Sequence, residues 1–427
     1  MASSALSGTS IPQGRIPIKI LFVNSLYHPH FVGGAERIVQ SLAEGLVKAG
    51  HQAVVVSTAP RRRLPEQING VTVYYLEGKN LYWPFGGDNP LLLKPLWHLV
   101  DTYNPLMARE LGRLLDAERP SLVHTNNLAG FSVAAWHQVK ARNLPLVHTL
   151  MDYYLLCPRS KMYKAAGNCD SPCRTCSVYG LPRRRMSNLV DAAIGLSAFV
   201  LRRHERFGYF ARTPIRRVIY SGYQASSIPA PQKQNPRPLR FGYLGRLHPT
   251  KGIELVLRSL VSHAGKRWEL WIAGKGSPAY EAQLKGSCTL PNVRYVGFVR
   301  PEEFLTSVDA LVVPSVWNEP FGMTVIEAYA HGVPVIGSCR GGLAEIIENG
   351  ETGFLFDPTG PASLEEILGR LIDAPAILTD MRARVLEKAK DFSPQRMVDD
   401  YLRLYGEVAC VSARRVRSRF LGLNSPW

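Results

Sequence analysis

Two carboxylates eight positions apart, Glu319 and Glu327, bracket the stretch Pro320-Phe321-Gly322-Met323-Thr324. Pro320 and Gly322 interrupt the apolar pattern, which predicts Glu319 in a loop and Glu327 on a helix over 323–331. The first amides of such a helix lack intrahelical acceptors and carry the positive end of its dipole, so they suit a phosphate. A carboxylate on either side accepts hydrogen bonds from hydroxyls. Phosphate plus polyol describes a sugar nucleotide.

These groups need strands to hold them. Apolar runs at 310–313 and 333–337 predict strands on either side of the stretch. Upstream, a strand at 240–244 runs into Gly245-Arg246-Leu247-His248-Pro249-Thr250-Lys251-Gly252, and one at 269–273 runs into Gly274-Lys275-Gly276. A further strand ends at Val299. Near the start, an apolar strand at 18–23 leads to Gly33-Gly34 and a helix with Ile38, Leu42 and Leu46 at helical spacing. Two glycines there let backbone approach a phosphate or sugar, or simply make the turn. The GxGxxG fingerprint is missing, so an ordinary dinucleotide site is not supported. Strands at 121–125 and 144–150 end in His124-Thr125-Asn126 and Asp152-Tyr153, where open α/β sheets put their ligands.

A chain of 427 residues is expected to form two domains. The expected division is a disordered start at 1–16, a Rossmann-like domain at 17–227, and a proline-rich linker at 228–238. A second Rossmann-like, donor-binding domain follows at 239–393, then a helix and basic tail at 394–427. The aromatic and proline-rich segment 74–105 reads as a long binding loop or lid. No run of 18 apolar residues and no signal-like start is present, so a cytoplasmic protein is expected. A net charge of +17 suits either a solvated basic surface or peripheral attachment to an anionic membrane. Nucleic acid is not expected, because no reader motif accompanies the charge.

Four of the seven cysteines, Cys157, Cys169, Cys173 and Cys176, lie within an insertion at 157–176. In a cytosolic chain such clustering favours metal over disulfides. Four thiolates could close a structural zinc site. An iron–sulfur centre, free thiols or redox pairs are the alternatives.

The Gly33-Gly34-Ala35-Glu36-Arg37 turn, the YLGRLHPTKG segment from Tyr243 to Gly252 and the NEPFGMTVIEAYAHGVPVI run occur in family order. Together they resemble the retaining glycosyltransferases of family 4, whose E-x7-E element is here Glu319 to Glu327. The resemblance covers nearly the whole chain. It implies an α/β fold of GT-B type, two facing Rossmann-like domains with the C-terminal helix returning to the first. Glu319 would contact donor-sugar hydroxyls and Glu327 the ribose hydroxyls. Arg246 and Lys251 would bind the diphosphate and stabilise it as it leaves. Amides of Phe321, Gly322, Met323 and Thr324 would face sugar and phosphates, with Gly245 and Gly274 on the same side. Gly33 and Gly34 would close from the opposite domain, and the base would lie near Val299. Asn126 and Asp152 are the catalytic candidates of the first domain, with His124 and Tyr153 on the acceptor side. The family commonly has H-x-H where this chain has His124-Thr125-Asn126, and His where it has Met151.

The implied activity is retaining transfer from a nucleotide-diphosphate sugar to a hydroxyl of a saccharide or lipid-linked saccharide, in surface polysaccharide synthesis. No catalytic metal is implied. The alternatives are a sugar-nucleotide epimerase or phosphorylase of the same fold, or a basic zinc-bearing binding protein.

Overall fold

The apolar run in KILFV forms β1 (Lys19–Val23), with Ile20 to Val23 fully buried. A strand buried on both faces needs helices above and below a parallel sheet. The computed structural model, which describes residues 17–30, 33–87, 89–164, 167–225, 237–360 and 362–420, has that arrangement twice.

The first half continues through α1 (Gly34–Lys48), β2 (Gln52–Ala59), β3 (Glu66–Ile68), β4 (Val71–Glu77), α2 (Lys94–Thr102) and α3 (Pro105–Glu118). Then come β5 (Leu122–Thr125), α4 (Ala134–Ala141), β6 (Leu146–Leu150) and the hairpin β7 (Tyr163–Lys164) and β8 (Gly167–Asn168). It closes with α5 (Arg174–Ser187), β9 (Ala192–Gly195), α6 (Ala198–Arg206) and β10 (Ile215–Val218). The main sheet runs β10-β9-β6-β5-β1-β2-β4-β3, parallel except for β3 against β4.

The second half is β11 (Leu239–Leu244), α7 (Ile253–Ser259), β12 (Trp268–Ala273), α8 (Pro278–Ser287), β13 (Val293–Gly297) and α9 (Pro301–Ser307). It goes on through β14 (Ala310–Val313), α10 (Met323–Ala330), β15 (Val335–Ser338), α11 (Leu343–Ile346) and β16 (Gly353–Phe356). Helices α12 (Ala362–Asp373), α13 (Ala376–Ala389) and α14 (Pro394–Phe420) end the described chain. Its sheet is parallel throughout, in the order β13-β12-β11-β14-β15-β16. The winding reverses between β1 and β5 in one sheet and between β11 and β14 in the other. Those switch points are where doubly wound sheets open a crevice.

Helix α14 leaves the second half and packs on the first. The Tyr401 hydroxyl meets Thr149 Oγ1 at 2.9 Å, and Arg217 forms a bidentate pair with Glu407 at 2.6 and 3.1 Å. The chain thus crosses between halves twice, and the crossings touch. The Tyr223 amide donates to the Phe392 carbonyl at 2.8 Å, and a Cβ on Gly222 would sit 2.5 Å from Pro394 Cα.

Two sequence expectations shift. The segment 74–105 is not one loop: β4 runs on to Glu77 and α2 occupies 94–102, with Pro95 in a first turn where no amide donor is needed. Trp97 is buried there, its indole N–H donating to the Tyr82 carbonyl at 2.9 Å. The apolar run Val218-Ile219-Tyr220 predicts a strand at 218–220, but the strand lies earlier, at Ile215–Val218, because Arg216 and Arg217 hide it and Arg217 is met by α14. The expected disordered start and all of the linker but residues 237–238 lie outside the described residues, as do residues 421–427.

Candidate active site

Gly322 caps α10, and the amides of Met323 and Thr324 begin the helix without intrahelical acceptors. On the loop before it, Glu319 is 8% exposed and its Oε1 accepts from Lys251 Nζ at 2.5 Å and Ser315 Oγ at 2.6 Å. Burial pushes its carboxyl up, but Lys251, Ser315 and Trp317 together hold it below the ordinary range. Lys251 ends the short turn after β11, which is how two distant sequence segments meet at one carboxylate. Arg246, on the same loop, is exposed, and its guanidinium forms no ion pair among the described residues. Gly274 touches that loop so closely that a Cβ would lie 1.8 Å from the Gly245 carbonyl oxygen.

Glu327 is 5% exposed. Burial raises its pKa, Arg37 opposes the rise, and Glu302 adds to it. Arg37 comes from α1 and places Nη1 3.7 Å from Glu327 Oε1, a contact between the two halves. Gly34 makes another: a Cβ there would fall 2.8 Å from Met323 Cγ. The Gly33 amide is already taken by the Glu36 carboxylate at 2.9 Å, so Gly34 is the glycine that faces α10. Val299 is half-buried in the loop after β13, beside the exposed Phe298. The Phe321 ring is buried and stacked on Tyr220 at 5.9 Å, which leaves its backbone, the part expected to face the donor, for a ligand.

On the opposite side, Asn126 is 3% exposed, and neither its side-chain oxygen nor its nitrogen has a partner. Buried polar groups are normally satisfied, so an orphaned amide points to a ligand or water. Asp152 is half-buried, with Oδ1 accepting from the Tyr154 amide at 2.7 Å. Burial raises its pKa to about 6, against the Tyr154 amide, Arg183 and Ser160.

His124 and Tyr153 need correcting. His124 is fully buried, one ring nitrogen 2.8 Å from the Tyr405 hydroxyl and the other 2.7 Å from Thr149 Oγ1. Both nitrogens are used in the core, and burial lowers its pKa to about 3. Tyr153 is 1% exposed and its hydroxyl donates to the Asn318 carbonyl at 2.9 Å. It is a strut between the halves, and no surface of it is left for an acceptor.

The cysteine insertion docks on the Glu319 loop. Asn168 donates to the Val316 carbonyl at 2.7 Å and accepts from the Asn318 amide at 2.8 Å. The Cys173 and Cys176 sulfurs are 3.5 Å apart, and the Cys176 thiol beside Cys157 draws the Cys157 pKa down to about 5. Cys169 sits near enough to feel the charge of Cys157 and Cys173. No group of three or more His, Cys, Asp or Glu among the described residues is placed to hold a metal as it stands. The insertion also brings cations. Lys161 is pushed down by burial and by the charges of Arg246, Arg159 and Lys251.

Several positioning residues escaped the sequence reading. Arg183, 0% exposed, donates to the Tyr154 carbonyl at 2.5 Å and lies 3.6 Å from Asp101 Oδ2. Asp101 accepts from the Gly130 amide at 2.6 Å and the Tyr154 hydroxyl at 2.8 Å. Across the halves, Glu345 accepts from the first amides of α6, Ala198 at 2.7 Å and Phe199 at 2.5 Å. Arg37 alone had a signal, since it lies in the first turn after Gly34.

Two facing doubly wound domains with a returning helix, and a cleft between their switch points, are the GT-B architecture, and the chain belongs to the glycosyltransferases. Residues 33–220 match the family described as glycosyl transferase 4-like domain, and residues 238–374 match glycosyl transferases group 1. An uncharacterized 42.6 kDa protein in the cps region of Klebsiella pneumoniae is 34% identical over 332 residues, 77% of this chain and 87% of that one. Sucrose-phosphate synthase from Thermosynechococcus elongatus shares the fold with a TM-score of 0.73 at 20% identity, covering 92% of this chain and all of its own. The Anabaena protein HepE, solved with UDP-glucose, gives 0.66 at 20% identity over 91% of this chain and 100% of that one.

Proposed function

We propose that this glycosyltransferase takes its sugar from a nucleotide-diphosphate donor and passes it to an acceptor hydroxyl with retention of the anomeric configuration. The observation that carries the reading is the buried Glu319, held by Lys251 and standing eight residues before the buried Glu327 of α10. A related fold solved with UDP-glucose supports the donor class. In this reading Glu327 accepts from the ribose hydroxyls and Glu319 from the sugar. Arg246, Lys251 and the first amides of α10 take up the charge that develops on the leaving diphosphate. The bond from the anomeric carbon to the phosphate oxygen breaks as the acceptor oxygen bonds on the same face. The acceptor proton goes to the departing phosphate, so no protein nucleophile is needed. The relative in the cps region supports a place in polysaccharide assembly.

Titrating the protein with a panel of nucleoside diphosphates and sugar nucleotides tests the donor site. Glu327→Ala should weaken donor binding about 10–100-fold, the effect of losing hydrogen bonds to a charged acceptor. Unchanged affinity would remove the ribose assignment.

Asp152 is assigned to orient the acceptor hydroxyl in its ionised form. With its pKa near 6, kcat/KM should rise with pH through about 6. Asp152→Asn should be slow and lose that ascending limb; an unaltered limb would assign it to another group.

The cysteine cluster is proposed to bind one structural zinc, on the grounds of four thiols gathered in one insertion and two sulfurs 3.5 Å apart. Sulfurs about 2.3 Å from one tetrahedral zinc stand about 3.8 Å apart, close to the spacing Cys173 and Cys176 already have, and Cys157 and Cys169 would have to close on the same centre. Elemental analysis should find about one zinc per chain. Metal-free protein with four reactive thiols and full activity would remove the assignment.

A further inference from the structure

We propose that Asn168 is a positioning residue for sugar transfer: through its side-chain amide the cysteine insertion sets the conformation of the loop that carries Glu319. The proposal rests on the reading of Glu319 as the contact to the donor sugar, and it adds the device that holds that carboxylate in place.

The loop from Ser315 to Pro320 follows β14 and precedes α10, and it pairs with a neighbouring segment only at the bridge between Glu319 and Gly341. Backbone outside helix and sheet must find partners for its amides and carbonyls elsewhere. Here the first half of the chain supplies them for Val316, Asn318 and Pro320. Asn168 Nδ2 donates to the Val316 carbonyl at 2.7 Å, and Asn168 Oδ1 accepts from the Asn318 amide at 2.8 Å. The Tyr153 hydroxyl donates to the Asn318 carbonyl at 2.9 Å, and the Ser197 hydroxyl to the Pro320 carbonyl at 2.6 Å. From its own half the loop takes the Thr250 carbonyl, which accepts from the Val316 amide at 3.0 Å.

Asn168 differs from the two hydroxyls in meeting both a donor and an acceptor. A primary amide presents both on one planar group, as does the peptide edge opposite it. The insertion also fixes where that amide points. Asn168 ends β8, and Cys169 follows directly. The Cys169 amide donates to the Met162 carbonyl at 2.8 Å, and its carbonyl accepts from Arg203 of α6. The side chain that grips the loop is thus held from behind by the fold around the cysteines.

What the loop displays depends on that grip. Trp317 puts its ring centre 5.5 Å from Lys251 Nζ and meets the Tyr153 ring edge-on at 6.2 Å. Glu319, the residue after Asn318, accepts from Lys251 and Ser315. The groups assigned to the nucleotide are assembled differently. The first amides of α10 belong to the second half alone, and Glu327 meets the first half through Arg37 of α1, not through the insertion. Loosening Asn168 therefore acts on the sugar contact and spares the nucleotide contacts.

The test compares Asn168→Ala, Asn168→Asp and Cys169→Ser with the parent, each as the full chain. Hydrogen exchange reads the loop. In Asn168→Ala the Asn318 amide should exchange about tenfold faster, the effect of losing one hydrogen bond, while the amides of β14 keep their rates. Asn168→Asp keeps the acceptor and loses the donor, so its rate should fall between. Cys169→Ser should speed the same amide. The second measurement sets affinity for UDP or GDP, whichever the parent binds more tightly, against the rate at which that product is released from UDP-glucose, UDP-galactose or GDP-mannose. Asn168→Ala should slow release from saturating donor about 10–100-fold, the cost of misplacing a reacting-centre contact by about 1 Å, with nucleoside diphosphate affinity unchanged. Adding Cys169→Ser should do little more, since both changes break one link. An unchanged exchange rate at Asn318 overturns the proposal whatever the donor is. Faster exchange with an unaltered release rate overturns the positioning role, and so does a loss of nucleoside diphosphate affinity as large as the loss of rate. Effects that multiply in the double variant overturn the link to the insertion. If the parent binds neither UDP nor GDP, the glycosyl-transfer reading fails instead, and the exchange rates still decide whether Asn168 sets the loop.

Discussion

Lys251→Met is expected to lower kcat by about 10²–10³, the usual cost of losing a group aimed at charge that develops in the transition state. The ammonium lies 2.5 Å from Glu319 and 5.5 Å from the centre of the Trp317 ring, so its position is set before any donor arrives. The same change strands a carboxylate that is 8% exposed. Stability should therefore fall too, by about 2 kcal/mol, since the pair is partly open to solvent. Adding Glu319→Gln separates the two effects. The double variant should regain most of the thermal stability and none of the rate. If stability and rate returned together, Lys251 would be a scaffold residue only. The measurements are single-turnover rates and thermal denaturation of the three proteins.

Arg183→Met should cost about 3–5 kcal/mol, the range for removing one partner of a buried ion pair. Its guanidinium is fully buried, lies 3.9 Å above the centre of the Tyr154 ring and holds the Tyr154 carbonyl. Removal leaves Asp101 among the Gly130 amide and the Tyr154 hydroxyl with no cation beside it. Burial already raises the Asp101 pKa to about 7 in spite of Arg183. A folded-state pKa raised above the unfolded value contributes stability that is full below pH about 4 and lost as pH rises through about 7. Without Arg183 that loss should continue to higher pH, so denaturation scans between pH 5 and 8 should show a steeper decline in the variant. Asp101→Asn in the same background should flatten it. A variant as stable as the parent, with the same slope, would show that the cation is replaceable there.

The cluster around Glu319 was legible because its parts lie on loops at the carboxyl ends of neighbouring strands. Arg246 and Lys251 follow β11, Glu319 follows β14, and those strands are paired. Glycines, a proline and short apolar runs mark each loop, and physics of this local kind is visible in a string of letters. His124 misled for the opposite reason. At a strand end it looks like a ligand, and what covers it is Tyr405, 281 positions later. Arg183 reads as one of three consecutive arginines, and only packing shows that it is buried while Arg184 and Arg185 are exposed. Tyr153 and Asn168 act through backbone groups of Asn318 and Val316, which carry no trace in side-chain chemistry. The insertion was recognised by its cysteines, but its cations mattered only once it was seen against the Glu319 loop.

The paired chain crossings at Tyr223 and Phe392 work like the spine of a book. Two strands of backbone bound edge to edge resist twisting and sliding, so the halves are left one easy motion, a rotation about the line where they touch. Residues around Gly222, Arg37 and Met323 lie close to that line, sharing one surface groove with Pro394, and would move little. The page edge is the cysteine insertion. There the Tyr153–Asn318 and Asn168–Val316 bonds act as a clasp across the opening.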